Sequence, residues 1–379
     1  MKILKLIIIS ILLMACQKND TPDQTKKPIQ DNIQKVSFVA VGDNIMHQRL
    51  IDVAKKDNGY DFSAYYQNIK PYIREADISF VNQETILGGN SHKYSGYPVF
   101  NTPSEMAEAL SQTGFDVVNG GTNHCLDIGP SGIKHSIDVF NNYPDMTYIG
   151  VYKEKSDKKN IPVIEKNGIK IAFLSYNQLI NYESQPPTDY FNPFNKQQIK
   201  EDVEDAKKIS DVIVVSCHWG KENSTKISEF QKEYAKYLND LGVDVIVGTH
   251  THTLQEVEWL KNDEGHQTLV AYSLGNFVNG MLEVDSQLGG MLSLDFVKKE
   301  GKIFVENVSL VPLMNHYQCD NTRNIMGTRH SFTIYRLKDY TDNLAKEHGL
   351  NGYQGIIISK EDMIKKAKTK VSKDINLII

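Results

Sequence analysis

Short apolar runs alternate with amphipathic stretches over most of the chain, and the two periods separate cleanly. "VSFVAVGD" (36–43), "ADISFVNQE" (76–84), "FDVVNGGTNH" (115–124), "DVIVVSCHWG" and "VDVIVGTHTH" read as buried strands. Continuous apolar runs of this length, closed by polar residues and glycine, mark strands covered on both faces. Between them "DFSAYYQNIKPYIREA", "PSEMAEALSQTG", "SGIKHSIDVFNNY" and "ISEFQKEYAKYLNDLG" carry helical spacing. Ser104 and Gly114 read as the cap and the stop of the second of these helices. Asn167-Gly168, set between two β-rich runs, predicts a tight hairpin. The alternation predicts α/β layers rather than a repeat or a coiled coil. From about Gln267 the pattern becomes a meander ("QTLVAYSLGNFV", "MLSLDFVKKEG", "KIFVENVSLVPL"). A doubly wound sheet would not end this way; a sandwich of two mixed central sheets would.

The two ends of the chain differ in kind from this middle. In "MKILKLIIISILLMAC" two lysines precede an apolar stretch from Leu6 to Met14, closed by Ala15 and Cys16, which is the shape of a secretory signal peptide. The stretch is shorter than the ~20 residues needed to span a bilayer. "LMAC" resembles a bacterial lipobox, whose cysteine is acylated. Residues 1–16 are therefore expected to be a lipoprotein signal peptide with lipidation at Cys16, and 17–34 a polar flexible linker. The folded domain is expected over 35–315, and a C-terminal helical extension over 316–379, with Ser359 opening its second helix. The location implied is the extracytoplasmic face of the cell membrane, held by a lipid anchor.

Composition narrows the choices further. A chain of 379 residues that is 40% hydrophobic can bury one large core or two modest ones. A net charge of −5 with no long basic run leaves no electrostatic footprint for nucleic acid. Apart from Cys16, the cysteines are Cys125, Cys217 and Cys319, odd in number and irregular in spacing, so no disulfide framework is implied. Neither Cys125 nor Cys217 has a CxxC partner, and both read as small buried hydrophobes rather than zinc ligands.

The strand ends carry the candidate chemistry. Five of them close on Gly42-Asp43, Asn82-Gln83-Glu84, Asn123-His124, His218 to Glu222, and His250-Thr251-His252. Ligands of open α/β sheets bind beyond the carboxyl ends of the strands, so these ends point at one site. Each residue alone has an ordinary structural role open to it: Asp43 as a helix cap, Glu84 as a lysine's partner, His218 as a satisfied core histidine. Together they offer the oxygen and nitrogen donors that first-row divalent metals take. Strand alternation would send His250 and His252 out on one face.

The ordered segments "VGDNIMH", "NQETIL", "GTNHCLDIG", "SCHWGKE", "GTHTHTLQ" and "SLGNF" resemble the motif series of the capsule-synthesis protein CapA family, linked to poly-γ-glutamate capsules, over roughly Val36 to Leu313. That family is similar to the calcineurin-like metallophosphoesterases. The resemblance implies an α/β fold, a four-layer α/β/β/α metallophosphoesterase-like sandwich, here with a C-terminal helical appendage. It implies Asp43 and His252 as ligands of a first metal, Glu84 as the bridging carboxylate, and Asn123, His218 and His250 as ligands of a second. His124 takes the place of the group that protonates a leaving oxygen or steadies a phosphoryl group. The cofactors implied are one or two divalent ions, Mn, Zn or Fe; a pair ~4 Å apart lowers the pKa of a shared water.

This chain also departs from the phosphoesterase pattern. Ile45 stands where a histidine is usual, with His47 two residues further on, and Glu84 replaces an aspartate. The first metal is therefore expected to be loosely held, singly occupied or absent. Asn82, Trp219, Glu222 and Asn276 are read as supporting or substrate contacts: Trp219 as a binding wall, Glu222 as an acidic contact, and Asn276 bonding back to the histidine loop beside Gly275. Asp127 and Gly129 are read as fixing the turn into the next helix. The resemblance implies capsular polymer synthesis or export, with an anionic capsular polymer or its precursor and membrane synthase subunits as partners. Two readings of the site stay open. One is a metal-dependent phosphoesterase or amide hydrolase acting on a cell-envelope substrate, the other a polymer-binding assembly component without catalysis.

Overall fold

The computed structural model describes residues 33–182 and 185–379. The expected signal peptide, Cys16 and nearly all of the expected linker lie outside the described residues. Among the described residues no helix is long and apolar enough to cross a membrane.

The chain runs through β1 (Gln34–Asn44), α1 (Gln48–Ala54), a small ribbon of β2 (Lys55–Lys56) and β3 (Gly59–Tyr60), and α2 (Lys70–Arg74). It continues with β4 (Ile78–Gln83), α3 (Glu105–Thr113), β5 (Val117–Asn119), α4 (Gly129–Phe140) and β6 (Thr147–Ile149). Next come β7 (Val163–Lys166), β8 (Ile169–Asn177), α5 (Lys196–Ile209), β9 (Val212–His218), α6 (Glu229–Asp240), β10 (Val245–Thr249), β11 (Val257–Lys261) and β12 (Gln267–Ala271). The last part holds β13 (Asn276–Val278), β14 (Leu288–Lys299), β15 (Lys302–Cys319), α7 (Ile325–Thr328), β16 (Arg329–Arg336), α8 (Asp342–Glu347), α9 (Lys360–Lys368) and β17 (Asn376–Leu377).

Two sheets result. A nine-stranded sheet runs β16-β15-β14-β1-β4-β5-β6, with β13 beside β1 and β17 beside β15; a six-stranded sheet runs β11-β12-β10-β9-β8-β7. The strands that carry the polar ends, β1, β4 and β5 in one sheet and β9 and β10 in the other, pair in parallel within their sheets. The meander expected after Gln267 divides between them: β12 stays in the six-stranded sheet, and β13 opens the return to the nine-stranded one.

Alternation sets the layers. In β9, Val212 and Val214 join the large core with Phe38, Ala40, Phe80 and Phe173, while Ile213, Val215 and Cys217 pack with Ile199 and Val203 of α5 and Leu238 of α6. Phe38 of β1 meets Phe173 of β8 across the sheets at 6.4 Å between ring centroids. On the far side of β1, Asn44 Nδ2 reaches the sulfur of Met106 in α3 at 3.3 Å. The order is helix, sheet, sheet, helix. Cys125 and Cys217 are both free and buried.

Several local expectations change. Ser104 sits in helical backbone conformation and makes no cap bond; its Oγ lies 3.2 Å from His135 Nε2 instead. Gly114 does close α3, at φ 107°. The stretch from Asp61 to Ala76 is not one helix: a short turn at Ser63–Tyr65 and α2 share it. Pro71 removes one amide donor and disfavours helical backbone before it. Asn167 and Gly168 take φ of 49° and 77° and make the hairpin between β7 and β8.

The C-terminal extension is not purely helical, and its expected boundary at 315/316 falls inside β15. Arg329, Phe332 and Ile334 are buried along β16, and Leu350, Met363 and Ala367 join the large core. Polar residues on the outer face of an edge strand masked its period of two.

One irregularity aims the site. Val41 lies opposite Val81 but Asp43 opposite Asn82, so Gly42 is an extra residue in β1. Such a bulge reverses the facing of the residues after it. Asp43 therefore joins Phe38 and Ala40 on the side of the second sheet, where alternation alone would turn it toward the helices. A Cβ on Gly42 would stand 1.8 Å from the Gly275 carbonyl oxygen, because the Asp43 N–H donates to that oxygen at 2.9 Å. Gly42→Ala is expected to cost about 1–3 kcal/mol of stability by overpacking. An unchanged urea midpoint would contradict this packing.

Candidate metal centre

Asp43 is held by a chain of buried side chains. Ser175 Oγ donates to Asn119 Oδ1 (2.6 Å), Asn119 Nδ2 to Asn82 Oδ1 (2.7 Å), and Asn82 Nδ2 to Asp43 Oδ1 (2.8 Å). The relay starts on β8 of the second sheet and crosses β5 and β4 of the first. The His250 N–H adds a bond to Asp43 Oδ2 at 3.1 Å. Asn82 thus orients the carboxylate from behind. Asn119 and Ser175 do the same without having been picked out in the sequence, although Asn119 ends its strand as Asn82 nearly does.

Glu84 follows β4 and is tied down only through its backbone: its N–H donates to Asn44 O at 3.1 Å and its C=O accepts from Thr122 Oγ1 at 2.7 Å. Its carboxylate is fully buried, and neither oxygen has a hydrogen-bond partner among the described residues. Burial drives this carboxyl well above the usual range, with the Asp43 charge adding to it and His252 opposing. A buried carboxylate left unpaired is a costly state.

Three imidazoles face that carboxylate. β10 ends at Thr249, so His250 and His252 are not on the strand; both take left-handed φ, 92° and 58°. The strand-face expectation for this pair is replaced by a loop that parts them, with ring centroids 6.2 Å apart. Backbone of this kind costs roughly 1–3 kcal/mol per residue. His252 Nδ1 lies 3.1 Å from Asn276 Oδ1 and 3.4 Å from Asp43 Oδ2, and its Nε2 lies 3.6 Å from Glu84 Oε1. Asn276 Nδ2 donates to the carbonyls of His252 and Ser286, which leaves its oxygen for the imidazole. Burial alone would lower the His252 pKa, but Glu84 and Asp43 outweigh it and hold it at about 10.

His218 and His250 form the other half. His218 Nδ1 bonds Thr249 Oγ1 at 2.9 Å, and its Nε2 stands 2.8 Å from Asn123 Oδ1, 3.2 Å from His250 Nδ1 and 3.9 Å from Glu84 Oε1. Burial, then the other histidines, keeps both rings neutral: His218 falls well below the usual range and His250 falls to about 3. Two triads therefore share Glu84: Asp43, Glu84 and His252, and Glu84, His218 and His250, each with donor atoms within 4.8 Å of one another. The unprotonated His218 and His250, a His252 whose proton a cation would displace, and an orphaned Glu84 beside Asp43 fit first-row divalent cations.

The remaining candidates divide. His124 Nδ1 pairs with Asp127 Oδ2 at 2.7 Å, and the same oxygen accepts the Phe100 N–H at 2.7 Å. Asp127 thus orients His124 as well as closing the turn, a role its place three residues on could have signalled. Asn181 Nδ2 stands 3.3 Å from His124 Nε2. An open cleft of about 590 Å³, lined by Pro98, Val99, Asp127, Asn181 and Tyr182 among others, adjoins this pair. Glu222 is exposed and meets Asn123 Nδ2 at 3.4 Å. Trp219 is no binding wall: it is fully buried, stacked on Phe194 at 5.7 Å, with its Nε1–H on the Tyr272 carbonyl. His218 faces between the sheets, so the next residue faces the helices. Ile45 is buried, and His47 belongs to neither triad.

Residues 37–281 match the family of the bacterial capsule synthesis protein PGA_cap, and the chain belongs to that family. It is 31% identical over 255 residues to the capsule biosynthesis protein CapA of Bacillus anthracis, a match covering 65% of this chain and 60% of that protein. With the PGA biosynthesis protein CapA of Bacillus subtilis it shares 28% identity over 276 residues, 72% of this chain and 69% of that one. The chain thus spans less than two thirds of the first relative. Among solved structures, a novel phosphatase from Mycoplasma pneumoniae aligns at TM-score 0.45 and 16% identity, over 74% of this chain and 94% of the other. The calcineurin-like phosphoesterase YfkN from Bacillus subtilis aligns at TM-score 0.44 and 13% identity, over 74% and 90%. The layering itself stands on the strand order and packing of this chain.

The Glu84–His252 pair carries a proton that a cation must displace, so affinity for Mn²⁺ or Zn²⁺ is expected to rise with pH and binding to release protons. Calorimetry in two buffers of different ionisation enthalpy measures this, and equal heats in both would contradict it. Glu84→Gln should leave ion-free stability unchanged or higher while abolishing the metal-induced rise in Tm.

Proposed function

We propose that the protein is a lipid-anchored, extracytoplasmic component of capsular polymer synthesis or export. In this reading it carries out divalent-metal-dependent cleavage or transfer at a phosphate ester or amide of the polymer or its precursor. The observation that carries this reading is the unpartnered Glu84 carboxylate shared by two ligand triads, with the His124–Asp127 pair beside an open cleft. Family membership supports the capsule assignment, as do the relatives named for capsule and PGA biosynthesis. The lipobox-like "LMAC" supports the anchor at Cys16, and membrane synthase subunits are the partners such an anchor would meet.

Asp43, Glu84 and His252 would hold one ion, and Glu84, Asn123, His218 and His250 the other. When bound, such ions supply Lewis-acid polarisation and an activated nucleophile. The protein's own contribution is positional and protic. The Ser175–Asn119–Asn82 relay keeps Asp43 from turning. Asp127 takes the Nδ1–H of His124, so that its Nε2 is the atom left to deliver a proton to a leaving oxygen or nitrogen. Asn181 and the cleft walls border that atom. For a chain with a net charge of −5, a bound cation also offsets repulsion of an anionic polymer.

A second reading, a polymer-binding component without turnover, is favoured by one observation. The buried Ile45 leaves Asp43, Glu84 and His252 without a further imidazole in their triad.

Metal-loaded protein is expected to cleave a phosphodiester or a γ-glutamyl amide, and His124→Ala to lower kcat by about 10²-fold or more. Turnover absent from the wild type supports the second reading; turnover untouched by the substitution removes His124 from proton delivery. Cys16→Ala is expected to move the protein from the membrane fraction to the soluble exported fraction; retention in the membrane would sink the lipid anchor.

A further inference from the structure

We propose that His47 is a hydrogen-bond donor to a substrate oxyanion, a phosphoryl or carboxyl-derived oxygen, held as its Nε2–H tautomer by the backbone of Gly280, and that it is not a metal ligand. The role at the substrate rests on the metal-centre reading; the tautomer does not.

His47 is half-buried at the start of α1. The Gly280 N–H donates to its Nδ1 at 3.2 Å. A backbone amide can only donate, so Nδ1 uses its lone pair there and the ring hydrogen of the neutral imidazole sits on Nε2. Neither nitrogen then has a lone pair to offer a cation. Proximity to the centre therefore does not make His47 the missing histidine of the first triad. Burial of the ring, followed by the charges of His252 and Arg329, outweighs the Ile45 backbone and lowers this pKa to about 3, so the imidazole is neutral across the neutral range.

Its place is set by aromatic contacts. Phe100 lies between two histidines, meeting the His47 ring edge-on at 5.5 Å and the His124 ring at 4.6 Å. The His124 and His47 rings thus both pack on one phenyl ring. A preorganised neutral N–H beside a cation site stabilises charge that develops on a reacting oxygen.

The residue that donates to His47 is itself held through its other peptide group. Arg329, at the start of β16 and fully buried, donates from Nη1 to the Gly280 carbonyl at 2.5 Å. Its guanidinium lies over Tyr317 (5.2 Å) and Phe332 (5.8 Å), and its Nε has no partner among the described residues. Its own carbonyl accepts Arg49 Nε from α1 at 2.7 Å. Arg329 therefore ties Gly280 to the helix that begins after His47, as a positioning residue, and it comes from the segment beyond the family match.

Long-range nitrogen–proton correlation spectra of the ion-free full domain, selectively labelled at histidine, are expected to show His47 with Nδ1 unprotonated and Nε2 protonated. Arg329→Gln should mix the two tautomers without changing Mn²⁺ stoichiometry. His47→Ala should keep the wild-type Mn²⁺ stoichiometry yet weaken inorganic phosphate binding to the Mn²⁺-loaded protein by about 10-fold or more, the worth of one hydrogen bond to a charged group. His47→Gln, which keeps an N–H donor, should recover most of that loss. An Nδ1–H tautomer, a lost ion in His47→Ala, or unchanged phosphate affinity overturns the donor role; unmixed tautomers in Arg329→Gln overturn the positioning role. If the wild type takes up no Mn²⁺, the metal-centre reading fails on its own, and the tautomer measured in the ion-free protein still decides how His47 is held.

Discussion

A carboxyl group buried without a hydrogen bond, and with only imidazoles in reach to pair with it among the described residues, is the constraint around which the candidate site is arranged. The effective penalty for burying an ion is several kcal/mol, and Glu84 shows no hydrogen bond that would offset it. Everything within reach answers to that charge: a protonated His252 on one side, two neutral histidines on the other, and left-handed backbone at His250 and His252 that the surrounding loop must hold in place. A bound cation would offset the buried charge while the loop keeps its left-handed backbone. Such an arrangement is poor as a structural core and suited to a binding centre.

The two sheets divide the work. The first contributes oxygen donors, Asp43, Glu84 and Asn123, from the ends of parallel strands or the loops just after them. The second contributes nitrogen donors, His218, His250 and His252, in the same manner. Neither sheet holds a complete triad, so the centre exists only where both are packed together. The amide relay from Ser175 to Asp43 runs across that boundary and makes the orientation of a ligand in one sheet depend on a residue of the other.

Much of this was legible in the sequence, for a physical reason. Buried parallel strands leave long apolar runs, and polar residues at their ends stand out against them; Asp43, Glu84, His218 and the GTHTH segment were visible in that way. Features set by register were not. The bulge at Gly42 decides which way Asp43 faces, yet a glycine before an aspartate looks the same with or without an extra residue in the ladder. Trp219 was misplaced because its neighbour is a site residue, and only alternation within β9 shows that the two face opposite layers. Ser104 has the composition of a cap without the backbone angles of one. β16 was hidden because an edge strand with a solvated face resembles a polar helix or loop when its partner is unknown. Asn119, Ser175 and Arg329 act only through other residues, and no local pattern announces that.

The pairing of β1 with β14 brings Gln34 opposite Lys298, and β15, β16 and β17 complete the sheet from sequence still later. The first strand of the domain therefore waits for nearly the last before it has both neighbours. Topologies dominated by such distant pairings fold slowly and late. In such a chain the strand ends that carry Asp43 and Glu84 reach their final places only once the late strands have paired. The order of the strands along the chain therefore sets when the candidate ligands of the two sheets come together.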